Sequence, residues 1–184
     1  LGCGAGSELF TLWRTGSATF PEGVDLDESR FAEGRALAAQ EPGFQPRFLV
    51  ADVNEMSLEE SCYDLIYAIH SFHHFLALEH IMEQVRRALT LDGLFVLEEY
   101  VGPAKFQWTD LQLEVTERLL ALMPRRLRMY GNGIEKRRQD RDTPERVLEV
   151  CPSEALRSDE IVPLFYKNFR VLHHLKLGGT IQHI

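Results

Sequence analysis

Three histidines lie close together near the middle of the chain, and their side chains suit proton transfer. His70, His73 and His74 follow an apolar run that ends at Ile69. An imidazole gains and loses a proton near neutral pH, so a histidine beside a bound substrate can act as a general base. We rank His73 first as the candidate base, because it lies just beyond the end of the apolar run. Packing and loop ordering are the alternative roles for each histidine.

Acidic and aromatic residues end the next apolar run. Glu98, Glu99 and Tyr100 follow Leu94-Phe95-Val96-Leu97. Because side chains alternate along a strand, Glu98 and Glu99 point in opposite directions, and we expect one of them to face a cleft. Glu99 is therefore a further candidate catalytic residue and Tyr100 a candidate substrate contact, with a solvated strand end as the alternative. No ligand spacing typical of a metal site accompanies these residues, so we expect no metal.

Alternating glycines open the chain, in Leu1-Gly2-Cys3-Gly4-Ala5-Gly6. Glycine lets a backbone pass close to a ligand and turn sharply into a helix, whose N-terminus attracts negatively charged groups. Nineteen residues beyond Gly6, Asp25 ends a short strand, and a carboxylate there can accept both hydrogen bonds of a ribose diol. The dinucleotide fingerprint needs glycine at position 7, where this chain has Ser7. The spacing therefore disfavours a nicotinamide-dependent dehydrogenase without excluding one.

The elements that position these residues alternate through residue 100. Their strand runs are continuously apolar, as expected of a parallel sheet covered on both faces, and Asp92-Gly93 predicts a turn before the last of them. This order favours an α/β fold with a doubly wound, mostly parallel sheet. We predict helices over Glu8–Arg14, Ser29–Gln40 and Leu78–Leu89, and strands over Gly23–Asp27, Phe48–Ala51, Tyr63–Ile69 and Leu94–Leu97.

The second half of the chain is largely helical in its pattern. A capping box at Thr109 predicts a helix with an apolar stripe from Trp108 to Leu122. Trp108 is a candidate substrate contact there, although core packing is the alternative. Residues 124–147 carry eight Lys or Arg against four Asp or Glu, and Arg125 and Arg126 are candidate contacts for an anionic substrate. A solvated surface is the alternative for this charge run.

Two further elements are predicted near the C-terminus. Ser158 can cap a helix that continues through Phe165, although Pro163 would strain it. Residues 170–177 form a strand candidate, and Gly178-Gly179 fits a tight turn into a returning segment over Thr180–Ile184.

Composition limits the class of protein. The 184 residues have a net charge of −8 and 45% hydrophobic content, ordinary for one globular domain. The acidic balance disfavours nucleic-acid binding, and no apolar run approaches the roughly 20 residues of a membrane span. An odd number of cysteines, three, without a Cys-x-x-Cys or zinc-ligand spacing indicates free thiols in a reducing compartment, so we expect a cytoplasmic location. The oligomeric state stays open.

The glycine-rich opening resembles the first motif of class I S-adenosylmethionine-dependent methyltransferases. The resemblance covers roughly residues 1–100 and implies a Rossmann-like methyltransferase fold. That family usually has an acidic residue two positions before Gly2, so we expect the chain to be truncated at its N-terminus. Four later segments resemble later motifs in the same order: Gly23-Val24-Asp25-Leu26-Asp27, Ala51-Asp52-Val53-Asn54-Glu55-Met56, Tyr63-Asp64-Leu65-Ile66-Tyr67 running to His73-His74, and Leu91-Asp92-Gly93-Leu94-Phe95.

The resemblance also implies which residues contact the cofactor. Gly2, Gly4 and Gly6 would pass the methionine part of S-adenosylmethionine. Asp25 would hold the ribose and Leu26 would pack on the adenine.

Residues at the ends of the next two predicted strands complete this implied cofactor site. Asp52 would accept a hydrogen bond from the adenine amino group, with Val53 alongside. Ala68 and Ile69 would line the methionine end through backbone contacts.

These observations lead to one expected function. We expect a single domain with a cofactor-binding half over residues 1–100, a helical substrate-side insertion over 101–168 and a C-terminal strand region over 169–184. The expected reaction is methyl transfer from S-adenosylmethionine to a small organic acceptor, which the arginine-rich segment suggests is anionic, with S-adenosylhomocysteine as product. A cofactor-binding domain without catalysis is the first alternative, and a nicotinamide-dependent dehydrogenase is the second.

Overall fold

The computed structural model describes residues 1–178, in which helices and strands alternate as far as residue 100. This order and the parallel pairing of the strands confirm the predicted α/β class. The strands are β1 Glu22–Asp25, β2 Arg47–Val50, β3 Tyr63–Ile69 and β4 Leu89–Glu98, and the α-helices are α1 Ser7–Arg14, α2 Ala32–Gln40, α3 Leu78–Ala88, α4 Asp110–Leu122, α5 Pro144–Val150 and α6 Ile161–Asn168.

The four strands form two parallel pairs, which the first residues of the chain connect. β1 pairs with β2, and β3 pairs with β4. The Cys3 N–H donates a hydrogen bond to the Val24 carbonyl of β1 at 2.9 Å. On the other side, the Leu1 ammonium donates to the Tyr67 carbonyl of β3 at 2.7 Å. Residues 1–3 therefore hold the glycine-rich loop beside the carboxyl ends of both β1 and β3.

The core lies on the face that α3 covers. The predicted apolar stripe of this helix is confirmed, because Leu78, Ile81, Met82 and Val85 are all fully buried. Ile161 of α6 is also fully buried and belongs to the same core cluster. The helix α6 therefore packs with the cofactor-binding half, although its residues fall within the predicted insertion.

The predicted turn at Asp92-Gly93 is wrong, because both residues lie inside β4. The register between β3 and β4 shifts between Tyr63 and Leu65, so a β-bulge takes up the extra residues. A Cβ atom on Gly93 would lie 3.0 Å from the Tyr63 carbonyl oxygen. This close approach explains why a glycine stands there without a turn between two elements.

The capping box at the start of α4 is confirmed. The Gln112 N–H donates to the Thr109 hydroxyl oxygen at 3.2 Å, and the Thr109 N–H donates to the Gln112 side-chain oxygen at 2.8 Å. The predicted strain at Pro163 does not arise. The helix α6 begins at Ile161, so Pro163 is its third residue, where a backbone N–H has no partner within the helix.

The predicted strand over residues 170–177 is wrong. Residues 170–178 have no regular secondary structure, and Leu172, Leu175 and Leu177 are exposed. A lone extended segment needs a neighbouring strand for stability, and no strand of the described part of the chain pairs with this one. The returning segment Thr180–Ile184 lies outside the described residues, as does Gly179 of the predicted turn.

Two further expectations concern the thiols and the membrane. Cys3, Cys62 and Cys151 are all free. Within residues 1–178, no helix has the length and apolar content needed to cross a membrane.

The packing of α6 against α3 gives a stability prediction. Replacing Ile161 by alanine should lower the free energy of unfolding by about 2–5 kcal/mol, because it leaves a cavity in the shared core. Urea unfolding followed by circular dichroism measures this change. The control is Leu122→Ala, since Leu122 is exposed at the end of α4 and should change stability by less than about 0.5 kcal/mol. Equal stabilities of the two variants would contradict the placement of α6 in the core.

Candidate functional site

The three glycines of the opening loop have different surroundings. All three adopt positive φ angles, of +62° at Gly2, +50° at Gly4 and +81° at Gly6. A Cβ atom on Gly2 would lie 2.6 Å from Ser71 Cβ, and one on Gly6 would lie 2.9 Å from the Phe48 ring. At Gly4, nothing lies within 4 Å of that position. Gly2 and Gly6 therefore allow close packing, whereas Gly4 borders open space that a ligand can enter.

Asp25 fixes the glycine loop from the end of β1. Its Oδ2 accepts a hydrogen bond from the Gly4 N–H at 2.8 Å, and its Oδ1 accepts one from the Asp27 N–H at 3.2 Å. The neighbouring Leu26 exposes 68% of its surface. The end of β1 thus carries a carboxylate oriented toward the loop and, next to it, an exposed apolar side chain.

Asp52 is oriented in the same manner at the end of β2. Its Oδ1 accepts hydrogen bonds from the Asn54 backbone N–H at 2.8 Å and from the Asn54 side-chain amide at 2.9 Å. The Asn54 side-chain oxygen in turn accepts from the N–H groups of Leu76 and Ala77, at 2.7 and 3.0 Å. Asp52 Oδ2 has no hydrogen-bond partner among residues 1–178, so it can accept a hydrogen bond from a ligand.

The other predicted cofactor residues are buried or half-buried. Val53 and Ala68 are buried in the core cluster, so they can offer a ligand little beyond their backbone atoms. Ile69 is half-buried and lines a small space together with Leu1.

A buried carboxylate organises the loop that carries the histidines. Glu99, with only 1% of its side chain exposed, accepts hydrogen bonds from the N–H groups of Phe72 and Tyr100, both at 2.5 Å. It also accepts one from the His73 N–H and contacts the His73 ring at Nδ1. Burial raises the pKa of Glu99, but the bonds to His73 and the Tyr100 N–H lower it overall. These contacts favour an anchoring role for Glu99 over proton transfer.

Residues far along the chain complete this cluster. The other ring nitrogen of His73, Nε2, lies 3.3 Å from Glu154 Oε1, so carboxylates flank the ring on both sides. His74 Nδ1 lies 3.3 Å from the Ser153 hydroxyl and 3.9 Å from Cys151 Sγ. Burial, together with the nearby His73, lowers the pKa of His74. Sequence reasoning missed these three partners because no local pattern connects segments almost eighty residues apart.

His73, His74 and Glu154 are also the group that could hold a metal ion. One potential ligand atom from each lies within 4.8 Å of the others. Each of these side chains already contacts a protein partner, as described above. Our expectation that the chain binds no metal stays a prediction.

His70 differs from the other two histidines because its ring is exposed. It follows β3 with a positive φ of 47°, and 67% of its side chain is accessible. Its Nε2 lies 3.6 Å from Glu98 Oε1, and its backbone N–H donates to the Glu98 carbonyl at 2.9 Å. Glu98 is therefore the acidic residue of this strand end that faces open space, whereas Glu99 points inward.

An aromatic cluster separates the histidine loop from a cavity in the second half. Trp108 is buried and stacks on Phe106, with ring centroids 5.7 Å apart and planes at 8°. Tyr100 meets both rings edge-on and lies 6.4 Å from the His73 ring, measured between centroids. The Tyr100 hydroxyl donates to the Pro103 carbonyl. Trp108 is therefore packed among aromatic side chains, and it also lines the cavity, which measures about 510 Å³. A contact between Trp108 and a substrate stays a prediction.

The two arginines predicted to contact the substrate lie outside the cavity. Arg125 is exposed and lies 3.4 Å from Glu135, and Arg126 is exposed without an ion pair in the described part of the chain. Neither of them lines the cavity. The structure therefore favours a solvated surface for both. The cations that do line the cavity are Arg128 and Lys136, which our sequence analysis did not single out.

Comparisons with known proteins identify the family. A family model described as a methyltransferase domain matches residues 1–97, just over half of the chain. The chain belongs to this methyltransferase family. The matched residues include all nine predicted cofactor contacts, whereas Lys136 and Glu154 lie beyond the match.

Individual proteins also resemble this methyltransferase domain. An O-antigen chain terminator bifunctional methyltransferase/kinase from Escherichia coli is 31% identical over 114 residues, which are 59% of this chain and 16% of that protein. The match thus spans about a sixth of the length of this relative. The solved structure of the YcgJ protein from Bacillus subtilis has a TM-score of 0.56 at 20% identity, over 91% of this chain and 58% of that one. An S-adenosylmethionine-dependent methyltransferase from Mesorhizobium loti is 26% identical, with a TM-score of 0.47 over 58% of this chain and 46% of that one.

The role of Glu99 in this methyltransferase domain can be tested by stability. Replacing Glu99 by glutamine should lower the free energy of unfolding by about 1–3 kcal/mol, because a neutral amide replaces a buried carboxylate among N–H donors. Glu98→Gln is the matched control, since Glu98 is partly exposed and should have little effect. Chemical denaturation of both variants measures the difference. Equal losses in the two would show that the buried carboxylate does not hold the loop.

Proposed function

We propose that this chain transfers a methyl group from S-adenosylmethionine to a small organic acceptor. The observation that carries the proposal is the position of two carboxylates, Asp25 and Asp52, at the ends of two paired parallel strands, with Asp25 bonded to the N–H of the open glycine Gly4. Both acids are held by backbone N–H groups at the ends of parallel strands, where open α/β sheets bind their ligands. The family match supports the same reaction.

The residues present fit this cofactor. Asp25 would accept hydrogen bonds from the ribose, with Leu26 against the adenine. Asp52 Oδ2 would accept from the adenine amino group. Above Gly4, the open space leaves room for the methionine part. When bound, S-adenosylmethionine supplies a methyl group activated by its sulfonium.

The protein's own contribution is to align the acceptor and to remove its proton where the acceptor is a hydroxyl group. Among the histidines, His70 has an exposed ring at the carboxyl end of β3 and an acid, Glu98, 3.6 Å away. His73 has carboxylates at both ring nitrogens, which leaves neither nitrogen open to an acceptor. We therefore assign the base to His70 and a positioning role to His73, which reverses the ranking from the sequence.

The proposal and its alternatives separate in one experiment. The protein is incubated with S-adenosylmethionine and a panel of small hydroxyl, amine and carboxylate compounds, and S-adenosylhomocysteine is detected by mass spectrometry. We expect product that depends on the acceptor added. Binding of S-adenosylhomocysteine without turnover of any acceptor would instead support a cofactor-binding domain that has lost catalysis. Binding of a nicotinamide dinucleotide alone would support a dehydrogenase.

The cofactor contact at Asp25 gives a quantitative prediction. Asp25→Ala should weaken S-adenosylhomocysteine binding about 10- to 150-fold, since a hydrogen bond to a charged group contributes about 1.5–3 kcal/mol. Calorimetric titration measures the affinity. Asp92→Ala is the control, because Asp92 is exposed in the bulged half of β4. Unchanged affinity in a folded Asp25→Ala variant would remove this residue from the ribose site.

The two histidines should respond differently to substitution. With a hydroxyl acceptor, His70→Gln should lower the rate of methyl transfer about 10²–10⁴-fold while cofactor affinity and stability stay unchanged, because only the proton acceptor is lost. His73→Gln should lower the stability, because it disturbs the contacts to Glu99 and Glu154. Steady-state kinetics, calorimetry and thermal unfolding of both variants provide the comparison. Full activity of His70→Gln would exclude His70 as the base.

A further inference from the structure

The second half of the chain forms a cavity, open to solvent on one side, that the cofactor site does not use. Its volume of about 510 Å³ lies within the range of small-molecule sites, roughly 300–1,000 Å³. Phe106, Trp108, Leu120 and Val147 form an apolar wall. Two of these side chains are the stacked rings described above, so the wall presents flat aromatic surface.

Two cations line this cavity, Arg128 and Lys136. Lys136 is only 9% exposed as a residue, and its ammonium has no hydrogen bond or ion pair with any residue that the structure describes. This ammonium is open to solvent, because no fully buried side-chain nitrogen or oxygen of the described residues lacks a partner. The backbone of Lys136 is fixed, since its N–H donates to the Arg128 carbonyl at 2.7 Å. Burial lowers the pKa of Lys136, and no nearby carboxylate opposes this shift.

The other cations beside the cavity are already paired. Arg128 Nη1 lies 2.8 Å from Glu135, and the Arg138 guanidinium lies 3.0 Å from Asp140. The Lys136 ammonium therefore remains without a carboxylate partner among the described residues. The mostly buried stem of Lys136 fixes where this ammonium meets the cavity. A fixed, unpaired ammonium in a cavity of this size indicates an anionic ligand.

We propose that this cavity binds an aromatic carboxylate, with its carboxylate on Lys136 and its ring against Phe106 and Trp108. A single unpaired cation matches a single negative charge. Asp142 also lines the cavity, and its carboxylate would repel a phosphate dianion about twice as strongly as a carboxylate monoanion. The apolar wall accounts for the uncharged body of the ligand.

The position of the cavity connects it to methyl transfer. Its wall residues Phe106 and Trp108 contact Tyr100, which in turn faces the histidine loop beyond β3. The inference that this cavity holds the methyl acceptor rests on the proposed function. The inference that it binds a carboxylate depends only on Lys136 and its surroundings.

Direct binding tests the site without an acceptor or a cofactor. The probe is 4-phenylbutyrate, and it is titrated into the protein by calorimetry beside two matched compounds, 4-phenylbutyramide and 3-phenylpropylphosphonate. We expect saturable binding of the carboxylate, at least about 10-fold weaker binding of the neutral amide, and no gain for the phosphonate. Equal binding of carboxylate and amide, tighter binding of the phosphonate, or no saturable binding of the carboxylate would overturn the proposal.

Substitution of the lysine provides a second test. Lys136→Met should weaken 4-phenylbutyrate binding at least about 10-fold, because it removes the ammonium that would hold the carboxylate. The ligand-free melting temperature should stay equal or rise, because methionine removes an unpaired charge from a mostly buried side chain. Arg126→Met, an exposed control in the same segment, should change neither quantity. A lower melting temperature of Lys136→Met would assign the lysine to the fold and overturn its role in binding.

The same samples separate this inference from the proposed function. S-adenosylhomocysteine is titrated into wild type and Lys136→Met, and we expect equal affinities. Cofactor binding without 4-phenylbutyrate binding would overturn the cavity proposal and leave methyl transfer standing. Carboxylate binding through Lys136 without cofactor binding would leave the cavity proposal standing and overturn the proposed function.

Discussion

Hydrogen bonds to the opening loop hold the candidate cofactor site together. Residues 1–3 donate to β1 on one side and to β3 on the other, and the Asp25 carboxylate accepts the Gly4 N–H across the same loop. The Ser71 hydroxyl adds a further bond by donating to the Leu1 carbonyl at 2.9 Å. The two strand pairs also meet directly, because the Tyr63 hydroxyl of β3 donates to Glu22 of β1 at 2.7 Å. The opening segment lies between the ends of β1 and β3, so it helps to fix the carboxylates relative to the histidine loop.

Buried polar contacts connect the two halves of the chain. His73 lies between Glu99, at the end of β4, and Glu154, which follows α5. On the surface, Arg157 donates to the Glu79 carboxylate at 2.7 and 2.9 Å and so ties the segment before α6 to α3. Such contacts fix how the second half sits on the histidine loop. The first half carries the family's cofactor motifs, whereas the second half supplies the walls and the lysine of the cavity.

Local patterns predicted the first half well, because each element there has a strong signal of its own. The bounds of β3 and the apolar stripe of α3 follow from nearest-neighbour chemistry, which the sequence displays directly. The capping box of Thr109, in the second half, was predictable for the same reason. The strand predicted over residues 170–177 failed because strand stability depends on a partner, which a local pattern does not reveal.

The site was harder to predict than the fold. Asp25 and Asp52 could be placed because spacing and strand ends locate them. The contacts of His73 with Glu154 and of His74 with Ser153 arise only from tertiary packing. Lys136 lies within a run of charged residues that resembles a solvated surface, and only the folded chain shows the residue to be mostly buried. Burial of one side chain inside a charged run therefore had no signal in the sequence.

The central claim is that the loop and its two carboxylates bind S-adenosylmethionine or its product. Thermal unfolding of the wild-type chain with S-adenosylhomocysteine, and separately with NAD⁺, tests it most directly. At a ligand concentration 100 times the dissociation constant, binding to the folded state adds about 2.7 kcal/mol of stability. The account predicts a saturable rise in melting temperature with S-adenosylhomocysteine and none with NAD⁺. A rise with NAD⁺ alone, or with neither ligand, would contradict it.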